Sequence, residues 1–189
     1  MLPTLLLLPA CTLPWAPQTV HFEETADTAA SVDTEDTELE GCDEWKEDWA
    51  EKEEEVLQVV NAYRSEGYHC YDGYYPPTGP LTMDNALRCA ARLHSQDMGD
   101  NNWFSHTGSD GSSLTSRVEA QGYVAWTSLG ENIAAGVATG RDAVELWLAS
   151  TEGHCSNIMS SGYAEIGVGA YYSDRSSYGW YWTQDFGSR

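Results

Sequence analysis

Apolar residues recur at helical spacing in the stretch from residue 44 to residue 66. Val56, Val60 and Tyr63 lie three or four positions apart, which places them on one helix face. Gly67 follows, and glycine commonly ends a helix because it adopts the left-handed conformation without steric cost. The pattern therefore predicts a first helix over residues 44–66.

A second helix is predicted to begin after Thr82 or Asp84, either of which can cap its N-terminus, and to end at Gly99. Because His94 lies on the apolar stripe of this helix, we interpret it as a structural residue. The stripe comprises Leu87, Ala91, His94 and Met98.

Two shorter helices follow. Ser112 or Ser113 opens a third helix that runs through Val118. Thr139, with Asp142 three residues later, forms a capping-box pattern before the sequence AVELWLAS, which predicts a fourth helix.

The C-terminal part of the chain is typical of β-structure. Residues 163–172 (YAEIGVGAYY) and 178–186 (YGWYWTQDF) are rich in aromatic residues, and the polar turn SDRSS between them predicts a hairpin. Residues 67–80 are dense in Gly, Pro and Tyr and are predicted to form a loop. Helices first and strands last predict an α+β fold in which helices cover a mostly antiparallel sheet.

The charge of the chain excludes two classes of partner. The 189 residues include 30 acidic and 9 basic side chains, a formal net charge of −21. Nucleic acid is excluded because lysines and arginines must neutralise its phosphates, and electrostatic docking to anionic lipid is excluded for the same reason. No apolar run approaches the ~20 residues that span a bilayer. Sixteen of the acids lie in residues 23–55, and we interpret residues 19–43 as an acidic, disordered linker.

The N-terminal residues predict export. Residues 1–18 are interpreted as a signal peptide, because the apolar run Leu5–Leu8 is followed by small Ala10. The tetrapeptide LPAC, ending at Cys11, resembles a bacterial lipobox, in which the cysteine is lipidated; ordinary signal cleavage is the alternative. We expect a bacterial outer-membrane lipoprotein or an extracellular protein, attached to a membrane only through Cys11, with residues 44–189 as its folded domain.

The cysteines support export independently. Once Cys11 is set aside, an even number remains, which is typical of a disulfide-bonded exported domain. No CxxC pair is present, which argues against a zinc ribbon. Spacing alone leaves every pairing open among Cys42, Cys70, Cys89 and Cys155.

One carboxylate stands in an unusual setting. Glu131 lies in the sequence GENIAAG, among small and apolar residues, so its side chain is predicted to be partly buried. A buried carboxylate needs a hydrogen-bonded or charged partner, and His106 and His154 are the candidates. Two imidazoles and a carboxylate also form a donor set that suits Zn²⁺ or another divalent cation with one open position.

The order of several motifs resembles the CAP superfamily, which joins cysteine-rich secretory proteins, antigen-five allergens and plant pathogenesis-related proteins. The motifs are NAYR, PLTMDNALRCAARLHSQDM, FSHTGSDGSS, GENIAAG, AVELWLASTEGHCSNIM and YWTQDFG. The match covers roughly residues 55–187 and is closest to the bacterial SCP-like branch. It implies a three-layer α-β-α sandwich whose cleft contains His106, Glu131 and His154.

The resemblance bears on further residues. Ser150 stands where the animal and plant branch has a second cleft glutamate, which weakens any mechanism that needs two carboxylates. Glu165 is a secondary cleft candidate near His154 in sequence, unless it pairs at the start of its strand. Bacterial relatives imply a Cys70–Cys155 disulfide, which leaves Cys42–Cys89 as the second pair.

Three functions are compatible with these residues. The first is an exported, monomeric binding module for an unknown small lipid, peptide or envelope component, with a divalent metal in the cleft. The second is a metal-dependent hydrolase or peptidase, in which His106 and His154 hold zinc and Glu131 acts as base or third ligand. The third is a purely structural His–Glu clamp. We favour the binding module and assign no catalytic residue, because no HExxH helix is present and a Ser150–His154 nucleophile pair lacks a GxSxG elbow.

Overall fold

The computed structural model describes residues 41–42 and 44–189. The predicted signal peptide, the lipid anchor at Cys11 and nearly all of the acidic linker lie outside the described residues.

The helices confirm most of the pattern-based predictions. Asp84 caps the second helix, because its carboxylate accepts hydrogen bonds from the backbone N–H groups of Ala86 and Leu87 at 2.9 and 3.0 Å. Ser113 and Thr139 cap the next two helices. A fifth helix was not predicted, since its six residues are too few to show periodicity. The helices of the described residues are α1 (Glu47–Glu66), α2 (Asn85–Asp100), α3 (Leu114–Ala120), α4 (Gly140–Leu148) and α5 (His154–Met159).

The strands form a short hairpin and a larger sheet. The hairpin lies within residues 67–80, so the prediction of a loop there was wrong for the six residues of its two strands. Their burial does not alternate clearly along the chain, so the sequence pattern did not indicate strands. In the larger sheet the order is β3-β5-β6-β4, antiparallel except for the short β3–β5 pair. The strands are β1 (Tyr68–Cys70), β2 (Gly73–Tyr75), β3 (Thr82–Met83), β4 (Ser128–Ala135), β5 (Glu165–Tyr172) and β6 (Trp180–Ser188).

Helices cover both faces of the larger sheet, which confirms the α+β prediction and gives an α-β-α sandwich. On one face α2 lies close against β5, because Gly167 and Gly169 have no side chain: a Cβ at either position would collide with the backbone of α2. On the other face the core joins α1, α4 and α5 to the sheet through residues such as Val56, Trp147 and Trp182. Alternate residues of β4 and β6 therefore point toward α2 or toward α4 and α5.

Two disulfides and one buried arginine tie the layers together. Cys42 is bonded to Cys89, and Cys70 to Cys155, as the resemblance implied. Arg64, which is 1% exposed, donates hydrogen bonds of 2.7 and 2.8 Å to the backbone carbonyls of Ile158 and Ser160. The Cys70–Cys155 disulfide and Arg64 attach the hairpin and α1 to the segment that carries α5, and the Cys42–Cys89 disulfide attaches the segment before α1 to α2.

The edge strand β4 has its outer carbonyl groups covered by side chains. Three of its backbone oxygens accept hydrogen bonds of 2.9–3.4 Å from side-chain donors. These pairs are Leu129 with the Tyr163 hydroxyl, Glu131 with the Asn157 amide and Ile133 with the Trp147 indole. An edge strand normally leaves these carbonyls free for another strand.

Candidate functional site

Glu131 lies on β4 with its side chain on the α2 side of the sheet. Antiparallel pairing places it directly opposite Asp185 of β6. Its side chain is 4% exposed, so the predicted burial of this carboxylate is confirmed. The neighbouring residue, Asn132, points to the other face, where its amide donates hydrogen bonds of 3.0 Å to the backbone oxygen of His154 and to the side chain of Gln184.

His106 reaches Glu131 from the loop between α2 and α3. Its Nδ1–H donates a hydrogen bond of 2.8 Å to Oε1 of the carboxylate, and its side chain is 55% exposed. The loop is held by Asp97, whose carboxylate accepts hydrogen bonds from the backbone N–H of Ser109 at 2.8 Å and from its hydroxyl. The ring therefore has one nitrogen fixed by Glu131, while Nε2 has no hydrogen-bond partner among the described residues.

Arg117 of α3 occupies the second oxygen of the same carboxylate. Its Nη2 donates to Oε2 of Glu131 at 2.5 Å, and also to the backbone oxygen of His106 at 3.2 Å. Burial opposes ionisation of Glu131, but the hydrogen bond from His106 and the charge of Arg117 outweigh it and lower the pKa of this carboxyl. Glu131 is therefore an ionised group that already binds two donors.

Two further buried groups face this cluster. His94 of α2 is 1% exposed, and its Nε2 lies 3.9 Å from Oε2 of Glu131; burial lowers its pKa, so the ring is neutral. Asp185 is completely buried, and neither carboxyl oxygen has a hydrogen-bond partner among the described residues. Burial and the adjacent negative charge of Glu131 raise the pKa of Asp185 well above its ordinary value.

His154 lies at the start of α5, on the other side of the edge strand. Its Nδ1 is 2.7 Å from the hydroxyl oxygen of Ser150, which also accepts a hydrogen bond from the backbone N–H of Glu152. It makes no hydrogen bond to Glu131 or His106. Burial lowers the pKa of His154, and the charge of His106 lowers it further.

The two secondary candidates have different positions. Ser150 lies beside His154, with its hydroxyl oxygen 2.7 Å from Nδ1 of the ring. Glu165 lies at the start of β5, where it accepts hydrogen bonds from the Tyr123 hydroxyl at 2.6 Å and from Arg189 at 2.9 Å. The hydrogen bond from Arg189 outweighs partial burial and lowers the pKa of this carboxyl. Glu165 is thus engaged in pairing at the strand start.

Sequence reasoning missed Arg117 and Asp185, and it assigned His94 only a place in the core. Arg117 carried one usable signal, since it is a lone cation in the short helix next to the His106 loop. Asp185 carried another, because an acid within an otherwise aromatic strand implies a buried polar partner. Neither signal shows which carboxylate the residue meets, because that depends on the register of β4 with β6.

The donor set does not fit the metal site considered from the sequence. Among the described residues, no group of three His, Cys, Asp or Glu side chains is arranged to hold a metal ion. Both oxygens of Glu131 already accept hydrogen bonds, one of them from a guanidinium whose charge would repel a divalent cation. The remaining donors, the free nitrogens of His106 and His154, make two ligands, fewer than the three protein ligands of a catalytic zinc site.

None of the described helices combines the length and apolarity that crossing a bilayer requires.

Comparison with known proteins identifies relatives over most of the chain. It is 35% identical over 144 residues to the uncharacterized membrane protein YlbC and 34% identical over 134 residues to the uncharacterized protein YkwD, both of Bacillus subtilis strain 168. These matches cover 76% and 71% of the chain but 36% and 46% of the relatives, so the chain spans less than half of either.

A solved structure shares both sequence and fold. An extracellular protein containing an SCP domain from Bacillus anthracis strain Ames is 29% identical, with a TM-score of 0.61. The match covers 74% of this chain and 41% of that one. The model of the cysteine-rich secretory protein family, CAP, matches residues 57–186, a range that contains His106, Glu131 and His154. The chain therefore belongs to the CAP family.

Proposed function

We propose that this chain is an exported CAP module that binds a small peptide or lipid ligand without transforming it. We place the binding site on the surface along the edge of β4 between His106 and His154, which we call the groove. The proposal extends to location: the resemblance of the N-terminal residues to a signal peptide with a lipobox, and the extracellular relative from Bacillus anthracis, support a protein displayed outside the cytoplasm.

The occupied carboxylate of Glu131 carries this proposal. A general base or a metal ligand needs a free lone pair that faces the substrate. Here Oε1 accepts from His106 and Oε2 from Arg117, while the carboxyl itself is buried. The cluster is built to hold the His106 loop in place, and it leaves the exposed face of the imidazole for recognition.

The capped edge of β4 restricts the mode of binding. Because three outer carbonyls already accept side-chain hydrogen bonds, a peptide that extended the sheet would have to displace those side chains, and this mode of binding is disfavoured. Recognition therefore depends on side chains: the free Nε2 of His106, the ring of His154 and the neighbouring exposed aromatic residues Trp103 and Phe104, which are 49% and 45% exposed.

Calorimetric titration with two probes, trialanine and palmitate, tests this function. We expect at least one probe to bind the full chain, and His106→Ala to abolish that binding. His69→Ala is the matched control, since His69 is an exposed histidine on the β1–β2 hairpin. Zinc is titrated into these three proteins and into His154→Ala, and a panel of chromogenic esters and peptides is incubated with each.

Two results would contradict the proposal. One is hydrolysis of any panel member by the wild type that His106→Ala removes. The other is stoichiometric zinc binding that is lost in both His106→Ala and His154→Ala. Failure of both probes would exclude these two ligand classes from the groove.

A further inference from the structure

Two consecutive residues of β4 contact the two segments that carry the groove histidines. Glu131 points to the α2 side of the sheet, where its carboxylate binds His106. Asn132 points to the opposite side, where its amide meets the segment that carries His154. One dipeptide of the edge strand therefore lies between the two histidines and bonds to both segments.

The side-chain amide of Asn132 uses all of its polar atoms. The residue is completely buried. Its Nδ2 donates hydrogen bonds of 3.0 Å to the backbone oxygen of His154 and to Oε1 of Gln184. Its Oδ1 accepts a hydrogen bond of 2.9 Å from Nδ2 of Asn157 in α5. Since an amide side chain offers two N–H donors and one carbonyl oxygen, each donor and the oxygen of Asn132 has a protein partner.

The backbone oxygen of His154 fixes the orientation of this amide. A carbonyl oxygen only accepts hydrogen bonds, so Nδ2 rather than Oδ1 of Asn132 must face it. The second N–H of Asn132 then points to Gln184, which lies directly opposite on β6 and presents its Oε1. Gln184 keeps this orientation although its Nε2 has no hydrogen-bond partner among the described residues. The hydrogen bonds of Asn132 therefore allow one arrangement, which holds the backbone of His154 at a defined place beside β4.

His154 needs such an anchor because the chain just before it is exposed. Residues 151–153 have exposed side chains, and Gly153 adopts a left-handed conformation with φ of +86°. On the other side of His154, Cys155 is bonded to Cys70 of the hairpin. The position of His154 thus depends on its contacts with β4 and with the hairpin rather than on the packing of the residues that precede it.

We propose that Asn132 is the positioning residue of His154. Its hydrogen bond to the backbone oxygen sets where the imidazole stands at the groove, as the carboxylate of Glu131 does for His106. Side chains that bind a ligand need supporting contacts of this kind, since small displacements weaken recognition. The inference rests on the proposed function for the part that His154 takes in binding, but the position of the ring can be measured without a ligand.

Titration of the histidine Cε1–H signals by NMR in the ligand-free full chain tests the inference. The variants His154→Ala and His106→Ala identify the two signals. Burial and the charge of His106 lower the pKa of His154 in the wild type. Asn132→Leu keeps the shape of the side chain but cannot donate to the His154 oxygen. The ring should then become more exposed, and the pKa of His154 should rise toward its ordinary value.

Gln184→Met is the matched control. Gln184 is completely buried and bonds to the same amide, but it makes no hydrogen bond to His154 among the described residues. Gln184→Met should lower the melting temperature, as Asn132→Leu does, and leave the pKa of His154 unchanged. The comparison separates positioning of the ring from a general loss of buried polar contacts. Circular dichroism spectra show whether both variants are folded.

Ligand binding supplies the second measurement. If trialanine or palmitate binds the wild type, Asn132→Leu should weaken that binding about two- to tenfold, the effect of one lost hydrogen bond. Gln184→Met should leave the affinity unchanged. If neither probe binds, the proposed function fails for these two ligands, while the NMR titration still decides the role of Asn132.

Three results would overturn the inference. The first is an unchanged pKa of His154 in folded Asn132→Leu, and the second is an equal rise in Gln184→Met. The third is unchanged affinity in Asn132→Leu for a probe that binds the wild type. If Asn132→Leu does not fold, Asn132→Ser replaces it, because the shorter side chain does not reach the His154 oxygen, and the same rise in pKa is required of it.

Discussion

Replacing Arg117 with methionine removes the cation from one of the most buried ion pairs in the molecule. The side chains of Arg117 and Glu131 are 9% and 4% exposed, so this pair behaves as a buried salt bridge. Surface pairs contribute about 0–1 kcal/mol, whereas removing one partner of a buried pair costs about 3–5 kcal/mol, because the other charge is left uncompensated. We therefore expect Arg117→Met to lower the free energy of unfolding by about 3–5 kcal/mol.

The structure adds two losses in the same direction. Arg117 also donates hydrogen bonds to the backbone oxygens of Ser112 and His106, at 3.0 and 3.2 Å, and both bonds are lost in the variant, although the Ser112 oxygen still accepts from the backbone N–H of Gly108 at 2.9 Å. The pKa of Glu131 should rise in this variant, because the charge that offsets its burial is gone. The variant should therefore recover part of its stability as the pH is lowered and Glu131 becomes protonated.

Urea denaturation followed by circular dichroism measures the effect. The double variant Arg117→Met/Glu131→Gln is the informative control, since it removes both charges and should regain most of the lost free energy. Arg141→Met removes an exposed arginine from α4 and should cost less than about 0.5 kcal/mol. A loss below about 1 kcal/mol in Arg117→Met, or a double variant no more stable than the single one, would refute the reasoning.

Three other predictions concern stability. Burial and the adjacent charge of Glu131 raise the pKa of Asp185 above its ordinary value of 3.8, so folding takes up a proton and stability should fall as the pH rises above about 4. Asp185→Asn should remove that slope and be more stable than the wild type at neutral pH; equal slopes in urea titrations from pH 4 to pH 8 would contradict this. Breaking the Cys70–Cys155 disulfide by double alanine substitution should cost about 4.6 kcal/mol in the chain-entropy model, given its sequence separation of 85, and unchanged stability would show that the unfolded chain is not constrained by it. Gly167→Ala should cost about 1–3 kcal/mol, because its Cβ would meet the backbone of Leu87; an unchanged melting temperature would contradict the close approach of α2.

The sequence alone was sufficient to predict the long helices and the pairing of His106 with Glu131. The apolar stripe of α2 and the caps at Asp84 and Thr139 are local sequence patterns. In natural proteins such local preferences agree with the final fold, so they can be predicted without knowledge of tertiary contacts. The pairing of His106 with Glu131 was also predictable, because a carboxylate among small residues needs a partner and few candidates exist.

The rest of the site depends on the register of the sheet. Glu131 and Asn132 are neighbours in sequence, yet they point to opposite faces of β4. His154 lies near Asn132, on the side of α5, so it could not join Glu131 in one compact metal site. The sequence pattern did not identify β4 as an edge strand. It therefore could not show that His106 and His154 lie on opposite sides of that strand.

The covered carbonyls of β4 also bear on how copies of this domain meet one another. An exposed strand edge is a template on which another chain can add its own strand, and such pairing leads to aggregation. Here Tyr163, Asn157 and Trp147 occupy the positions through which a neighbouring copy would add its own strand. The same three side chains therefore oppose edge-to-edge pairing through β4, even where copies of the domain are crowded together.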